Sequence, residues 1–81
     1  MSAARTKAAR AFGRALRSAR KKAGMSQEEL AAYGEFDRTY PSLLERGKRT
    51  PTFLVIVELA KAMKIDPITL FTEALAELRR Q

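Results

Sequence analysis

The chain has 81 residues, of which 46% are hydrophobic, and a formal net charge of +7. It has no cysteine and no histidine, so disulfides and thiolate metal sites are excluded, and the commonest metal ligand and general base is missing. A chain of this length supports one small domain with little room for a substrate pocket, and its longest apolar run, residues 53–57, is too short to span a bilayer. We therefore expect no enzyme activity, no cofactor, no metal and no membrane insertion.

Basic residues are concentrated in the first quarter of the chain. Residues 1–22 hold eight Lys/Arg and no acid, whereas the rest of the chain holds eight Lys/Arg and nine acids. Such a segment attracts polyanions, which include nucleic acid, anionic membranes and acidic proteins. An Arg-rich, acid-free start is also typical of a mitochondrial transit peptide. The helical period of its apolar residues, Phe12, Leu16, Ala19 and Ala23, favours a core-facing helix instead.

The first helix is predicted from about residue 8 to residue 23, and the alanines at positions 3 and 4 allow an earlier start. It follows a basic extension of about residues 1–8. Gly24 ends this helix. Ser26 and Glu29 then form a capping box for a second helix over about residues 27–33. Asp37 is predicted to cap a third helix that runs to about Arg46 and stops at Gly47.

Two further helices are predicted from repeated cap-then-proline signals. Thr50-Pro51 starts the fourth and Asp66-Pro67 starts the fifth, which reaches about Arg79. The run FLVIV also has strand propensity, but the caps and the helical spacing favour a helix. The predicted buried stripe of the fourth helix is Phe53, Ile56, Leu59, Ala60 and Met63. One side of the fifth carries Ile68, Phe71, Leu75 and Leu78.

Residues 26–49, SQEELAAYGEFDRTYPSLLERGKR, contain two short helices joined by a tight turn and followed by a basic segment. This arrangement places one helix in a DNA groove. With Arg17, Arg20, the Gly24-Met25 pair, Pro51-Thr52 and Leu59-Ala60, it resembles the Cro/repressor-type, or XRE, helix-turn-helix family over about residues 10–71. Small stand-alone regulators such as restriction–modification controller proteins are the most similar members.

The resemblance implies an all-α fold, a compact five-helix bundle of the lambda-repressor type, with the motif at about residues 26–47 of a single domain, 1–81. It implies a sequence-specific transcriptional regulator that binds double-stranded DNA as a homodimer on a palindromic operator, with no small-molecule ligand, in a prokaryotic or phage-type cytoplasm. The alternative is an antitoxin or adaptor whose main partner is another protein. The sequence does not identify the operator or distinguish repression from activation.

The resemblance also implies roles for particular residues. Arg20 and Glu45 would form a structural pair that fixes the register of the helices. The residues expected to read bases are Arg38, Thr39, Ser42 and Leu43. The residues expected to contact phosphates are Gln27, Tyr40, Lys48, Arg49 and Thr50, although the ring of Tyr40 could instead pack against the second helix.

A homodimer is also expected because apolar residues exceed what one small core can absorb. The predicted interface combines the fifth helix with the exposed side of the fourth. Its members are Leu54, Val57, Phe71, Leu75 and Leu78. In the alternative, the fifth helix folds back over its own domain and these are scattered surface residues.

Two positions depart from the family pattern. Glu35 stands where the turn usually has Gly, and a shift of the turn onto Gly34 would avoid a positive φ at Glu35. Pro41 stands where the family has a branched apolar residue. It either loosens the first turn of the third helix or makes that helix start late, near Thr39 or Tyr40, with Tyr40 extended.

Overall fold

The computed structural model describes residues 3–81, which form five α-helices: α1 (Ala3–Lys22), α2 (Gln27–Gly34), α3 (Tyr40–Glu45), α4 (Phe53–Ala62) and α5 (Pro67–Arg80). The predicted all-α class and the number of helices are confirmed. None of these helices is both long and apolar enough for a membrane span. Residues 3–81 also contain no group of three or more acidic residues placed to hold a metal ion.

The long helix α1 packs against both α3 and α5 and takes the earlier of the two predicted starts. The predicted basic extension is therefore helical from Ala3 onward, and its first two residues lie outside the described part. Phe12, Leu16 and Ala19 are buried as predicted, but Ala23 is exposed because it follows the last helical residue. Gly13 permits the contact with α3, since an added Cβ would lie 2.5 Å from the carbonyl oxygen of Leu44.

The turn between α2 and α3 differs from the prediction. The capping box of Ser26 and Glu29 is confirmed at the start of α2. At its end, Gly34 is the last helical residue, and Glu35 itself takes the left-handed conformation, with φ 57°. The Phe36 N–H donates to the carbonyl of Ala31, and the Glu35 N–H to that of Ala32, as in a Schellman motif. Gly34 serves another purpose, because an added Cβ would collide with the ring of Phe36.

The third helix starts late, which was one of the two outcomes expected for Pro41. Its N-cap is Thr39, so the prediction that Asp37 caps α3 was wrong. Asp37 instead accepts hydrogen bonds from the backbone N–H and the hydroxyl of Thr39, which builds a turn ahead of the helix. Tyr40 is helical, not extended, because Pro41 lies in the first turn, where its missing N–H costs no hydrogen bond.

The fourth helix begins two residues later than predicted. Thr52, not Thr50, is its N-cap and accepts from the N–H of Val55 at 3.2 Å. Phe53, predicted to be buried, is therefore the first residue of the helix and is 83% exposed. The predicted cap of α5 is confirmed, since Asp66 accepts from the N–H of Ile68.

The core receives side chains from all five helices. Leu70 of α5 is fully buried, although the sequence pattern did not single it out. The Asp66 cap sets the phase of α5 so that Leu70 faces inward while Ile68 faces solvent. The main buried cluster consists of Phe12, Ala15, Leu16, Ala19, Leu30, Leu44, Leu59, Ala60, Met63 and Leu70.

Candidate nucleic-acid interface

A hydrogen-bonded network joins α1, α2 and α3 at the predicted pair. The Nε of Arg20 donates to Oε2 of Glu45 at 2.6 Å, and its Nη2 donates to Oε1 at 3.1 Å. Gln27 donates its side-chain amide to Oε1 of Glu45 at 3.0 Å. Arg20 also donates to the carbonyl of Met25, at 2.9 Å, in the connection between α1 and α2. One carboxylate thus links α3 to both α1 and α2.

This network is largely shielded from water. The side chain of Glu45 is 3% exposed and that of Arg20 is 11% exposed. The hydrogen bonds and charge of Glu45 outweigh the desolvation of the guanidinium, so the pKa of Arg20 is raised above its ordinary value. In the described part of the chain, no buried side-chain nitrogen or oxygen lacks a hydrogen-bond partner. A satisfied network of this kind holds its members in one arrangement.

The predicted base-reading residues cluster around the start of α3. Arg38 and Thr39 are exposed in the turn before the helix, and Ser42 and Leu43 are half-buried on it. Among residues 3–81, Arg38 has no hydrogen-bond or ion-pair partner, so its guanidinium is available to a ligand. Thr39 donates its hydroxyl proton to Asp37 at 2.6 Å, so its oxygen is left as an acceptor.

Gln27 and Tyr40, which are predicted to contact phosphates, also make contacts within the protein. The side-chain amide of Gln27 is bound to Glu45, which leaves the backbone N–H at the start of α2 for an outside acceptor. The ring of Tyr40 lies 5.6 Å from that of Phe36 in the turn, and it packs against the core cluster. Side-chain amides have two donors, and the sequence alone cannot show which partner receives them.

The other predicted phosphate contacts, Lys48, Arg49 and Thr50, are exposed in the loop after α3. Arg49 donates to the carbonyl of Lys48 at 3.0 Å, which folds its side chain over the loop. Arg46, for which no role was predicted, is also exposed, at the C-cap of α3. Its position directly before Gly47 was the available signal.

The predicted dimer interface is an exposed apolar surface on α4 and α5. One groove of about 420 Å³ is lined by Phe53, Ile56, Val57, Pro67, Ile68 and Phe71. A second groove shares Phe71 and adds Leu75 and Leu78 beside the start of α1. Sequence reasoning missed Phe53 and Ile68, which are 83% and 72% exposed, because both were assigned by helical spacing alone. Leu54 is exposed but lines neither groove.

Two short helices fixed at a tight turn, with an exposed polar start on the second and a basic loop after it, define a helix-turn-helix DNA-binding domain. Comparison with known proteins agrees. The family model described as helix-turn-helix matches residues 16–70, which is more than half of the chain. The chain belongs to this Cro/repressor-type, or XRE-type, helix-turn-helix family.

Similar proteins include regulators and controllers. An uncharacterized HTH-type transcriptional regulator, y4dJ of Sinorhizobium fredii, is 42% identical over 53 residues, covering 65% of this chain and 69% of the relative. The crystal structure of the restriction–modification controller protein C.AhdI from Aeromonas hydrophila is 41% identical, with a TM-score of 0.74, covering 78% of this chain and 96% of that one. The controller C.Esp1396I, solved as a tetramer in complex with its natural 35 base-pair operator, is 26% identical, with a TM-score of 0.78, covering 98% and 99%.

The family and the fold together make this chain a DNA-binding transcriptional regulator whose partner is double-stranded DNA. The relatives named above are regulators and controller proteins, which does not favour the alternative of an antitoxin or adaptor.

Proposed function

We propose that the chain acts as a symmetric homodimer that binds a palindromic operator and so controls transcription. The observation that carries this proposal is the buried Glu45 carboxylate, which fixes α3 so that its start and the following basic loop are exposed together. A dimer with two-fold symmetry presents two such helices to the two halves of a palindrome. The solved complex of C.Esp1396I, a tetramer on its natural 35 base-pair operator, supports operator binding by more than one copy of the chain.

Base reading falls to the start of α3. Arg38 has a free, exposed guanidinium, which can donate two parallel hydrogen bonds to O6 and N7 of a guanine. Thr39 offers its methyl group to a thymine and its oxygen as an acceptor for a base amino group, because its proton is given to Asp37. Ser42 and Leu43 are half-buried and would contact bases at the edge of the helix.

Phosphate contacts position α3 without reading sequence. We assign them to Lys48, Arg49 and Thr50 in the exposed loop. Gln27 would contribute through its backbone N–H at the start of α2, where the helix dipole also favours an anion. The hydroxyl of Tyr40 would add a further donor, with its ring held against Phe36.

The dimer interface would cover the two apolar grooves of α4 and α5. Val57, Phe71, Leu75 and Leu78 of the expected set line these grooves, and Phe53 and Ile68 extend the same surface. Leu54 lies on α4 outside both grooves, so we place it at the rim of the interface. Removing this apolar area from water provides the driving force for association.

In this role, the single helix-turn-helix domain of residues 1–81 has no catalytic activity and works in a prokaryotic or phage-type cytoplasm. Regulation would follow the concentration of the dimer and require no small-molecule ligand. The basic composition of residues 1–22 supports association with DNA by long-range attraction.

The test is selection of bound sequences from random duplex, followed by affinity measurements on two matched variants. Arg38→Ala should lose about 1–3 kcal/mol per half-site and relax the preference at one base position. Lys48→Ala should weaken binding to all sequences alike and lower the slope of log affinity against log salt by about one unit. Both residues are exposed, so neither variant should unfold.

Two results would contradict the proposal. Equal affinity of the wild-type chain for selected and random duplex would remove the sequence-specific function. An unchanged preferred sequence in Arg38→Ala would remove the base-reading role from that residue while leaving the function in place.

A further inference from the structure

The side of α1 that faces α3 carries a row of arginines. Arg10, Gly13, Arg17 and Arg20 recur at intervals of three and four residues, so they share one side of the helix. Gly13 lies against the carbonyls of Leu44 and Glu45, and Arg20 binds the Glu45 carboxylate. Arg10 and Arg17 therefore lie beside the end of α3, and both are exposed.

Contact between Arg10 and Gly47 connects this row to the basic loop. Gly47 has a φ of +71°, and a Cβ added to it would lie 2.8 Å from Cγ of Arg10 and 3.2 Å from its Cα. A side chain at position 47 would push α1 and the loop apart. With glycine there, the backbone of α1 comes directly against the loop that carries Lys48 and Arg49.

The basic side chains on the two sides of α1 differ in their ion pairing. Toward α5, Arg14 pairs with Glu77 at 3.3 Å and Lys22 pairs with Glu73 at 3.7 Å. Toward α3, neither Arg10 nor Arg17 is ion-paired with any residue of the described range 3–81. Two cations on the side of α5 are thus ion-paired, whereas Arg10 and Arg17 are left available on the side of the helix-turn-helix.

We propose that Arg10 and Arg17 form a second row of DNA phosphate contacts, which extends the contact surface of residues 48–50 along α1. This rests on the proposed function and adds to it a site outside the helix-turn-helix motif. Arg10 precedes residues 16–70, the part that matches the family model, whereas Arg17 lies within that part. The two arginines are separated by seven residues, or about 10 Å along the helix axis, which is enough to reach different phosphates.

The experiment compares two double variants on the same helix. Arg10→Gln with Arg17→Gln removes the row, and Arg14→Gln with Lys22→Gln removes the same charge from the side of α5. Glutamine keeps most of the side-chain stem and favours helix, so both variants should fold as wild type does, which circular dichroism checks. Affinity for a duplex selected by the wild-type protein is measured from 50 to 200 mM salt.

The row variant should lower the slope of log affinity against log salt by about one unit for each lost contact, with no change in the preferred sequence. Hydroxyl-radical footprinting should show lost protection of the backbone at the flanks of the site. The α5-side variant should keep the wild-type slope and footprint. Arg10→Lys with Arg17→Lys keeps the charge and should recover most of the slope.

Equal slopes and footprints for the wild type and the row variant would overturn this inference. An equal loss in the two double variants would also overturn it, because the effect would then be one of net charge and not of position. Either result leaves the proposed function intact provided that Arg38→Ala still relaxes the preferred sequence, so the two proposals fail separately.

Discussion

The helix-turn-helix side of the molecule has polar side chains that are hydrogen-bonded within the chain, whereas its α4–α5 side has apolar side chains that are exposed to solvent. On the first, Arg20 and Gln27 both donate to the buried carboxylate of Glu45 inside one chain. On the second, Phe53, Ile68 and Phe71 are exposed with no apolar surface over them. The helix-turn-helix side is therefore organised within a single protomer, whereas the α4–α5 side is the one that we propose a second copy covers. Each side should respond to substitution in its own way.

The largest expected effect is on the helix-turn-helix side. Glu45→Ala leaves the buried guanidinium of Arg20 and the amide of Gln27 without their acceptor. Removing one partner from a buried ion pair costs about 3–5 kcal/mol. For a domain of this size, thermal unfolding should occur roughly 12 °C or more below wild type. Dimerisation should be affected only through this loss of folded protein.

Glu77→Ala is the matched control, because it breaks two ion pairs of the same type at the surface, with Arg14 and Arg80, whose side chains are 45% and 70% exposed. Exposed pairs contribute about 0–1 kcal/mol, so its unfolding temperature should stay close to wild type. Equal destabilisation by the two variants would show that burial of the Glu45 network does not distinguish the two regions.

The next largest effect is expected on the apolar side. Ile68→Glu and Phe71→Glu place a charge where the proposed interface removes side chains from water, and should weaken the dimer by about 2–4 kcal/mol each. Both residues are exposed in the protomer, so the monomer should stay folded. Sedimentation at micromolar concentration measures the change. Half-sites should still be bound, since the start of α3 is untouched.

Tyr33→Glu is the control for this pair, because Tyr33 is an exposed aromatic residue of α2 that lines neither groove. It should sediment as wild type does. Leu54→Glu then defines the extent of the interface along α4. If the wild-type chain stayed monomeric at high concentration and on DNA, the proposed interface would be wrong, because the α4–α5 side would need no partner.

The two regions also differ in how far the sequence predicts them. The number of helices and the caps at Ser26 and Asp66 follow from local signals, since Ser26 is followed by Glu29 in a capping box and Asp66 by proline at the first helical position. The start of α4 was wrong by two residues because Thr50 and Thr52 both flank Pro51, and only the packing of the helix chooses between them. That error placed Phe53 in the core.

In the candidate site, too, the sequence predicts some features and not others. Exposure of Arg38 and of the loop follows from composition and motif. The internal bonds of Gln27 and of the Thr39 hydroxyl do not, because one donor in the sequence can serve either the protein or the DNA. Likewise, the fourth and fifth helices have apolar residues on several sides, so periodicity alone did not find Leu70.

A smaller effect on stability is expected at Glu35, in the turn of the helix-turn-helix. Glu35 is held in the left-handed conformation, which disfavours a non-glycine residue by roughly 1–2 kcal/mol. Glu35→Gly relieves this, while the greater freedom of glycine in the unfolded chain offsets part of the gain. We expect a net stabilisation of about 0.5–1 kcal/mol by chemical denaturation, with unchanged affinity for DNA.

Ala32→Gly in the same helix is the control and should have the opposite sign, because glycine inside a helix costs about 1 kcal/mol relative to alanine. A destabilised Glu35→Gly would mean that the side chain of Glu35 makes a contribution larger than the strain of its backbone.

The smallest effect concerns pH and the turn before α3. The hydroxyl of Thr39 first, and its backbone N–H second, stabilise the carboxylate of Asp37 and hold its pKa below the ordinary value of 3.8. Because the folded pKa lies below the unfolded one, this contribution is complete above about pH 4 and is lost as pH falls through the folded pKa. An NMR titration of the Asp37 carboxyl carbon should therefore give a pKa below 3.8.

Thr39→Val removes the hydroxyl but keeps the backbone N–H, so the pKa of Asp37 should rise partway toward its ordinary value. Asp37 is fully exposed, and we expect the effect on global stability to be small. The same titration tests whether the hydroxyl of Thr39 is free to donate a hydrogen bond to DNA. If the pKa did not change in Thr39→Val, the hydroxyl proton would not be held by Asp37, and Thr39 would be free to act as a donor to a base as well as an acceptor.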